Sequence, residues 1–387
     1  MHLGAELALT VLSLAMILIA AEVFTNAVEW LGVRLRLDSG VVGSILAAVG
    51  TAMPETIIPV VAIAKDISTN RLHSPEGESQ AIGMGAIIGA PFMLATLAFC
   101  IVGLTYYISR NRKTRPTAFT ASPRVFRTDI EFFLVAFSIG VGMGLINHFW
   151  QLPYWITAAV GLCTIVLYIY YVLQMFRLGE QEADNVAVDD SALDDHGEHG
   201  EELHPLWLTR WYLGPKTEPK KRFIVVQLGV ALMLMFFGAH MFVEHLSPLA
   251  LAWGIDPLIL ALLITPVATE LPEKFNSVLW VSRGKDTLAL GNISGALVFQ
   301  STFPVAIGLW FLDWNLGPGS PAFIGSVLGL AGALLVYVGL RRSGKIQPRL
   351  LLAAGSLYLL YILIVGLHIG GVIHLDVAEA LIGNGGH

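Results

Sequence analysis

Ten stretches of the chain are long and apolar enough to cross a bilayer: residues 6–33, 40–65, 80–108, 129–148, 153–176, 223–251, 256–282, 287–312, 320–340 and 349–370. A hydrocarbon layer about 30 Å thick takes about 20 residues of helix. The pattern therefore predicts an all-α integral membrane protein with about ten transmembrane helices. Links between the stretches are short except near the middle, where a polar insert occupies residues 177–221. It separates two membrane halves, residues 1–176 and 222–387.

Charge is scarce and unevenly placed. Only 13% of residues are charged and 55% are hydrophobic, against about 25% charged in an ordinary soluble domain. That excludes a cytosolic enzyme and a disordered chain, and a net charge of −6 leaves no basic footprint for nucleic acid. The chain carries no phosphate loop, nucleophile elbow or metalloprotease signature, so neither an enzyme nor a cofactor is expected. Cys100 and Cys163 lie inside apolar runs and read as buried packing residues, not as a disulfide or metal cluster. When the links are assigned alternately to two sides, twenty of the 23 Lys and Arg residues fall on one of them. Basic links stay in the cytoplasm, so both termini are expected outside a prokaryotic plasma membrane and the central insert inside. Lys65 and Arg71 face outward, and Lys274 lies within a span.

From Glu180 to Glu202 the insert carries ten carboxylates, with His196, His199 and His204 among or beside them. Such a run could gather or sense divalent cations weakly. Nothing fixes ligand geometry, so a solvated linker is the plainer reading. The segment from Trp207 to Tyr212 reads as an interfacial anchor.

Sliding the chain by 218 residues lays Ala21–Lys65 over Ala239–Arg283 without a gap. Thr51, Pro54 and Glu55 fall on Thr269, Pro272 and Glu273, and Asp38 falls on Asp256. At an offset of 206, Gly85 and Gly89 fall on Gly291 and Gly295. Shared hydrophobicity alone does not hold Thr-x-x-Pro-Glu in register across 45 ungapped residues. Five spans per repeat is an odd number, so the halves are expected to lie in opposite orientations. Inverted repeats with paired, interrupted helices point to a secondary transporter whose site is at the midplane.

Proline inside an apolar helix removes one backbone hydrogen bond and blocks another. Lipid tolerates this only where the freed carbonyls face protein or a wet cavity. Pro54 and Pro272 each stand directly before a glutamate. They predict two helix breaks where carbonyl oxygens converge with the carboxylates of Glu55 and Glu273. Hard oxygen donors of this kind suit Na⁺, Ca²⁺ or Mg²⁺. An ionised carboxylate at mid-membrane costs about 2.5–3.5 kcal/mol on insertion scales, too much for a packing role. Gly85 with Gly89, and Gly291 with Gly295, each share one helix face and admit a close neighbour. The expectation is that these helices press on the broken ones. The second half adds polar groups there: Asn292, Ser294, Gln300, Ser301 and Thr302 stand against Ala86, Ile88, Leu94, Ala95 and Thr96.

Gly50-Thr-Ala-Met-Pro-Glu55 and Ala268-Thr-Glu-Leu-Pro-Glu273 resemble the paired Gly-Thr-Ser-Leu-Pro-Glu motifs of the calcium/cation antiporter superfamily. Within it they look most like the sodium/calcium exchangers. Gly85–Pro91 and Gly291–Leu297 resemble its Gly-Asn-x-x-Gly-Ser-Asn/Asp elements, and Gly238–Ala250 resembles the segment that opens each half. The resemblance implies the exchanger fold, alternating access, and Glu55, Glu273, Thr51 and Thr269 as cation ligands. At the cage the chain departs from the pattern. The motif serines are Ala52 and Glu270, the later serines are Ala90 and Ala296, and the Asn/Asp positions hold Pro91 and Leu297. Glu270 adds a carboxylate to the metal ligands. Lys274, four residues on, can pair with it on one helix face, stand in for a cation, or exchange a proton; snorkelling to an interface is the plainer alternative.

The expected function is a secondary cation antiporter, with inorganic cations (Na⁺, Ca²⁺ or H⁺) and the bilayer as its partners. Asn292, Lys274 and the four glycines modulate or support the site. A proton-coupled antiporter with a non-calcium substrate, a cation channel and a non-transporting sensor are the alternatives. Glu22 with His240, and Asn26 with Glu244, are repeat-equivalent, with Glu29 and His245 nearby. They gate or relay protons, hold the opening helices together, or sit at headgroup level. Asp38 and Asp256 read as helix N-caps.

Overall fold

Helices form where the apolar stretches lie. The computed structural model describes residues 2–34, 52–68, 78–109, 116–150, 152–188, 206–207 and 219–375. In chain order they form α1 (His2–Arg34), α2 (Met53–Ser68), α3 (Glu78–Met93), a π-helical turn (Leu94–Ala98), α4 (Phe99–Ser109), α5 (Pro123–Trp150) and α6 (Tyr154–Val188). Then come α7 (Lys221–Ala252), α8 (Pro257–Thr269), α9 (Leu271–Ser282), α10 (Asp286–Gln300), α11 (Phe303–Phe311), α12 (Pro321–Ser343) and α13 (Pro348–Ile369). Among the described residues there is no strand, and eight helical segments are long and apolar enough to cross a membrane. Two of the eight join α3 to α4 and α10 to α11. The stretch predicted at 40–65 is described only from residue 52 onward. The stretch at 256–282 is two helices, α8 and α9, meeting at Glu270. α6 continues to Val188, past the boundary expected at 176.

Two cores hold these helices. α1 lies along α7, and both rest on α2 and α8 through Ile17, Phe24, Ile58, Met235, Phe242 and Leu260. A larger core built on Phe92, Phe99, Phe133, Leu262, Trp314 and Tyr361 joins α3–α5 to α8 and to α10–α13. Asp256 caps α8 as expected, its carboxylate accepting from the Leu258 amide at 2.7 Å.

The Arg34 guanidinium donates to the Pro219 carbonyl at 3.0 Å, and the Phe119 amide donates to the Ile346 carbonyl at 3.0 Å. The Asn147 amide donates to the Trp314 carbonyl at 3.1 Å, and His148 meets Asn315 at 3.0 Å. Leu206, at the end of the insert, is buried against Ala27, Trp30 and Ile224. Trp207 is half-buried beside it and its amide donates to Asn26 at 3.3 Å. The carboxylate and histidine run at 189–204 lies outside the described residues.

Of the paired polar residues on the opening helices, Asn26 is buried and accepts from Gln227 at 3.1 Å, so it holds α1 to α7. His245 pairs with Glu6 across the same two helices at 2.7 Å. His240 and Glu244 pair with each other at 3.9 Å on the exposed side of α7, and Glu22 is exposed on α1. Asp38 and the Glu29 side chain lie outside the described residues. The cysteines depart from expectation: Cys100 is half-buried and Cys163 is exposed. Cys163 shares the outer surface of α6 with Leu162, Val166 and Tyr170. An apolar residue on a membrane helix can face lipid as readily as protein.

Candidate functional site

The site is organised by prolines at helix starts. α2 begins at Met53 and α9 at Leu271, two starts separated by the repeat offset of 218. Pro54 and Pro272 therefore stand in first turns, where a missing amide N–H leaves no helical bond unmade. Glu55 and Glu273 follow in the same turns, where the positive end of the helix dipole favours a carboxylate. Between α8 and α9, Glu270 adopts φ −88° and ψ 7°, the sparsely populated bridge conformation that bends the chain.

Pro266, inside α8, deprives the Leu262 carbonyl of its helical donor. Gly89 of α3 backs onto that carbonyl, and a Cβ there would lie 2.5 Å from the Leu262 oxygen and 2.7 Å from the Pro266 ring. A Cβ on Gly85, one turn earlier, would lie 2.8 Å from the Leu258 carbonyl oxygen and 2.9 Å from the Ala261 Cβ. In the second half a Cβ on Gly291 would meet no described atom within 4 Å. Gly295 is buried in α10.

Around the α8–α9 bend, charged groups are buried together. Glu55 is 1% exposed, Glu270 0% and Lys274 6%. The Lys274 ammonium lies 2.9 Å from Glu270 Oε2 and donates to the Pro266 carbonyl at 3.4 Å. Lys274 and Thr269 are neighbours of the Glu55 carboxylate, and Glu55 and Tyr358 are neighbours of Glu270. The Thr269 hydroxyl donates to the Thr265 carbonyl at 2.8 Å. Both Glu55 oxygens, and Oε1 of Glu270, are buried without a hydrogen-bond partner among the described residues. Unpaired buried carboxylate oxygens are costly, and in a membrane they mark groups held ready for a cation or a proton. Two described carboxylates converge, and no group of three or more metal-ligating side chains is found among the described residues. Thr51 and the Glu273 side chain lie outside them.

The polar groups of α10 divide. The Asn292 amide donates to Ser277 of α9 at 3.5 Å. Ser294 turns the other way and donates to Asp129 of α5, which also accepts from Tyr171 of α6 at 3.0 Å. Ser301 and Thr302 spend their hydroxyls on carbonyls of α10. Only Gln300, 1% exposed at the end of α10, keeps both amide atoms without a partner among the described residues.

Two features escaped the sequence reading. The first is a second pair of helix interruptions. The α10–α11 span breaks at Ser301–Thr302, and the π turn that starts at Leu94 is its equivalent at the offset of 206. Single π turns are rare and concentrate at functional sites. Their signals were Pro304, at the start of α11, and Pro91, just before the π turn. The second is the buried Asp129, which stands at the edge of its apolar stretch and reads there as an ordinary boundary charge.

A protein-family model described as sodium/calcium exchanger protein matches residues 5–177 and 223–367, skipping the polar insert. The inner membrane protein YrbG of Escherichia coli (strain K12) is 22% identical over 339 residues, spanning 87% of this chain and 89% of that one. A crystal structure of the H⁺/Ca²⁺ exchanger CAX aligns at a TM-score of 0.66 with 20% identity, covering 93% of this chain and 81% of that one. A structure of the sodium-calcium exchanger NCX_Mj aligns at 0.54 with 18% identity, covering 93% and 99%. At such identities the likeness is one of fold.

Proposed function

Because the chain belongs to the sodium/calcium exchanger protein family, we propose that it is a secondary antiporter of inorganic cations, working by alternating access around Glu55 and Glu273. Its membrane part is ten helices in two inverted repeats of five. Both termini lie outside a prokaryotic plasma membrane, and the acidic insert is in the cytoplasm. The helix starts at Met53 and Leu271, and the interruptions at Leu94 and Gln300, keep the repeat offsets and support that arrangement.

One observation carries the functional reading. Glu55 is buried with both carboxylate oxygens lacking a hydrogen-bond partner among the described residues, next to the bend that bears Thr269, Glu270 and Lys274. Glu55 and Glu273 are the central cation ligands. Thr51, Thr269, Glu270 and carbonyls at the bends supply further oxygens, and Gln300 offers an amide one turn beyond Leu297. Asn292 braces α10 on α9. Gly85 and Gly89 let α3 support the α8 bend, and Gly291 and Gly295 serve α10. Energy comes from an ion gradient, with 100 mV supplying about 2.3 kcal/mol per net charge moved.

Flux in proteoliposomes tests this. Imposed Na⁺, H⁺ and K⁺ gradients should be set against Ca²⁺, Mg²⁺ and Mn²⁺, and countertransport in any combination supports an antiporter. Electrogenic flux without coupling would make the protein a channel, and cation binding without flux would make it a sensor. A second reading, proton-coupled exchange of a cation other than calcium, is favoured by Ala52, Ala90 and Ala296, which offer no side-chain oxygen where the exchanger motifs carry serine. Uptake driven by an H⁺ gradient, and unmoved by Na⁺, would establish it.

A further inference from the structure

We propose that the Lys274 ammonium is a built-in cation of the transport site, occupying one cation position throughout the cycle and so setting how many mobile charges the site takes. The inference rests on the antiporter reading above and adds a stoichiometry to it. Lys274 does not snorkel: it is 6% exposed, and its nitrogen points back into the α8–α9 bend. There it touches a carboxylate oxygen at 2.9 Å and a helix-end carbonyl at 3.4 Å, with the Glu55 carboxylate as a further neighbour. A carboxylate beside a helix-end carbonyl, here the Pro266 oxygen that also accepts from the Glu270 amide at 3.1 Å, is the kind of donor set that broken transporter helices present to a monovalent cation. The ammonium has taken a cation's ligands, and its tether keeps it from leaving.

Charge counting gives the consequence. Glu55, Glu270 and Lys274, together with Glu273 as the antiporter reading places it, carry a net formal charge of −2. A buried site must be close to neutral when occupied and crossing the membrane. One divalent or two monovalent cations meet that condition, and exchanging one for the other moves no net charge. Without the lysine the same carboxylates would call for a further monovalent cation. Ala52, Ala90 and Ala296 agree with a smaller mobile complement, because donors for an additional ion are missing there.

The experiment uses the purified full-length protein with Lys274→Met, Glu270→Gln and the double variant. Equilibrium binding of radioactive Na⁺ and Ca²⁺ is measured in detergent. Countertransport is measured in proteoliposomes with the potential clamped by K⁺ and valinomycin. The wild type should exchange without voltage dependence. Lys274→Met should bind a further monovalent cation, tighten Na⁺ binding by about tenfold and become voltage-dependent. Glu270→Gln should lose monovalent binding and shift voltage dependence the opposite way. The double variant restores the net charge, removes both members of the Lys274–Glu270 pair together, and should return to wild-type behaviour. If Lys274→Met does not fold, Glu270→Gln and the double variant decide. Unchanged binding stoichiometry and voltage dependence across the folded variants would overturn the inference. If the wild type binds cations but drives no countertransport, the antiporter reading fails, and the binding stoichiometries alone judge Lys274.

Discussion

Gly89 packs so tightly on the freed carbonyl of Leu262 that a Cβ on it would stand 2.5 Å from that oxygen. The contact pairs a helix without a side chain to a helix whose proline has exposed a carbonyl, so the α8 bend and the α3 glycine depend on each other. Gly89→Ala should force the two backbones apart at a cost of about 1–3 kcal/mol, the range for overpacking. Thermal unfolding in detergent should record a lower midpoint. Gly291→Ala, where no described atom lies within 4 Å of the added carbon, is the control and should unfold at or slightly above the wild-type midpoint, since alanine favours a helix interior over glycine. Equal midpoints for all three proteins would remove the close approach from this account.

Glu55→Gln should abolish cation exchange and leave the fold intact. Glutamine keeps the shape of the side chain. Neither Glu55 oxygen has a described hydrogen-bond partner to lose, and a neutral side chain is the easier one to bury. The expected pair of results is an unfolding midpoint at or above that of the wild type, with countertransport at background. Substantial transport by the variant would show that the central charge lies elsewhere.

Much of the site was legible because prolines and glutamates encode it locally. A proline directly before a glutamate, repeated at one offset, names the helix start, and α2 and α9 do begin within two residues of those prolines. The face of Gly85 and Gly89 followed from their spacing alone. The direction of Lys274 did not. Spacing permits a pair with Glu270 and equally permits snorkelling, and the choice depends on burial by helices distant in sequence. Hydropathy was also blind to the interruption at Ser301–Thr302, since a broken apolar span scores like a continuous one. It could not tell the exposed Cys163 from a packed residue. Asp129 needed the fold, because Tyr171 and Ser294 reach it from two other helices.

The acidic run of the insert should be dispensable for transport. α6 persists to Val188, and Leu206 and Trp207 dock against α1 and α7. A replacement that respects both ends removes residues 189–202 in favour of a Gly/Ser linker of the same length. Flexible loop substitutions of equal length change closure entropy little. Flux should persist, while its dependence on cytosolic divalent cations is free to change. Complete loss of flux from a correctly inserted variant would assign the run to the transport cycle itself.

Asp129 gives the sharpest contrast with Glu55, because its carboxylate is fully engaged. The hydroxyls of Tyr171 and Ser294 both donate to it, tying α5, α6 and α10 at one buried point. A carboxylate satisfied by protein donors serves the fold, whereas one left unpaired is open to ligand. Asp129→Ala leaves the buried Tyr171 hydroxyl without its acceptor, while Ser294 keeps the Leu290 carbonyl at 2.8 Å; the cost is about 1–3 kcal/mol, so the unfolding midpoint should fall. Tyr171→Phe should lower it less, and the two substitutions together should cost less than their sum, because they remove the same bond. Ion preference should not move in any of the three variants, since the network contacts neither Glu55 nor Glu270. Altered selectivity with unchanged stability would reverse this assignment and make Asp129 part of the ion path.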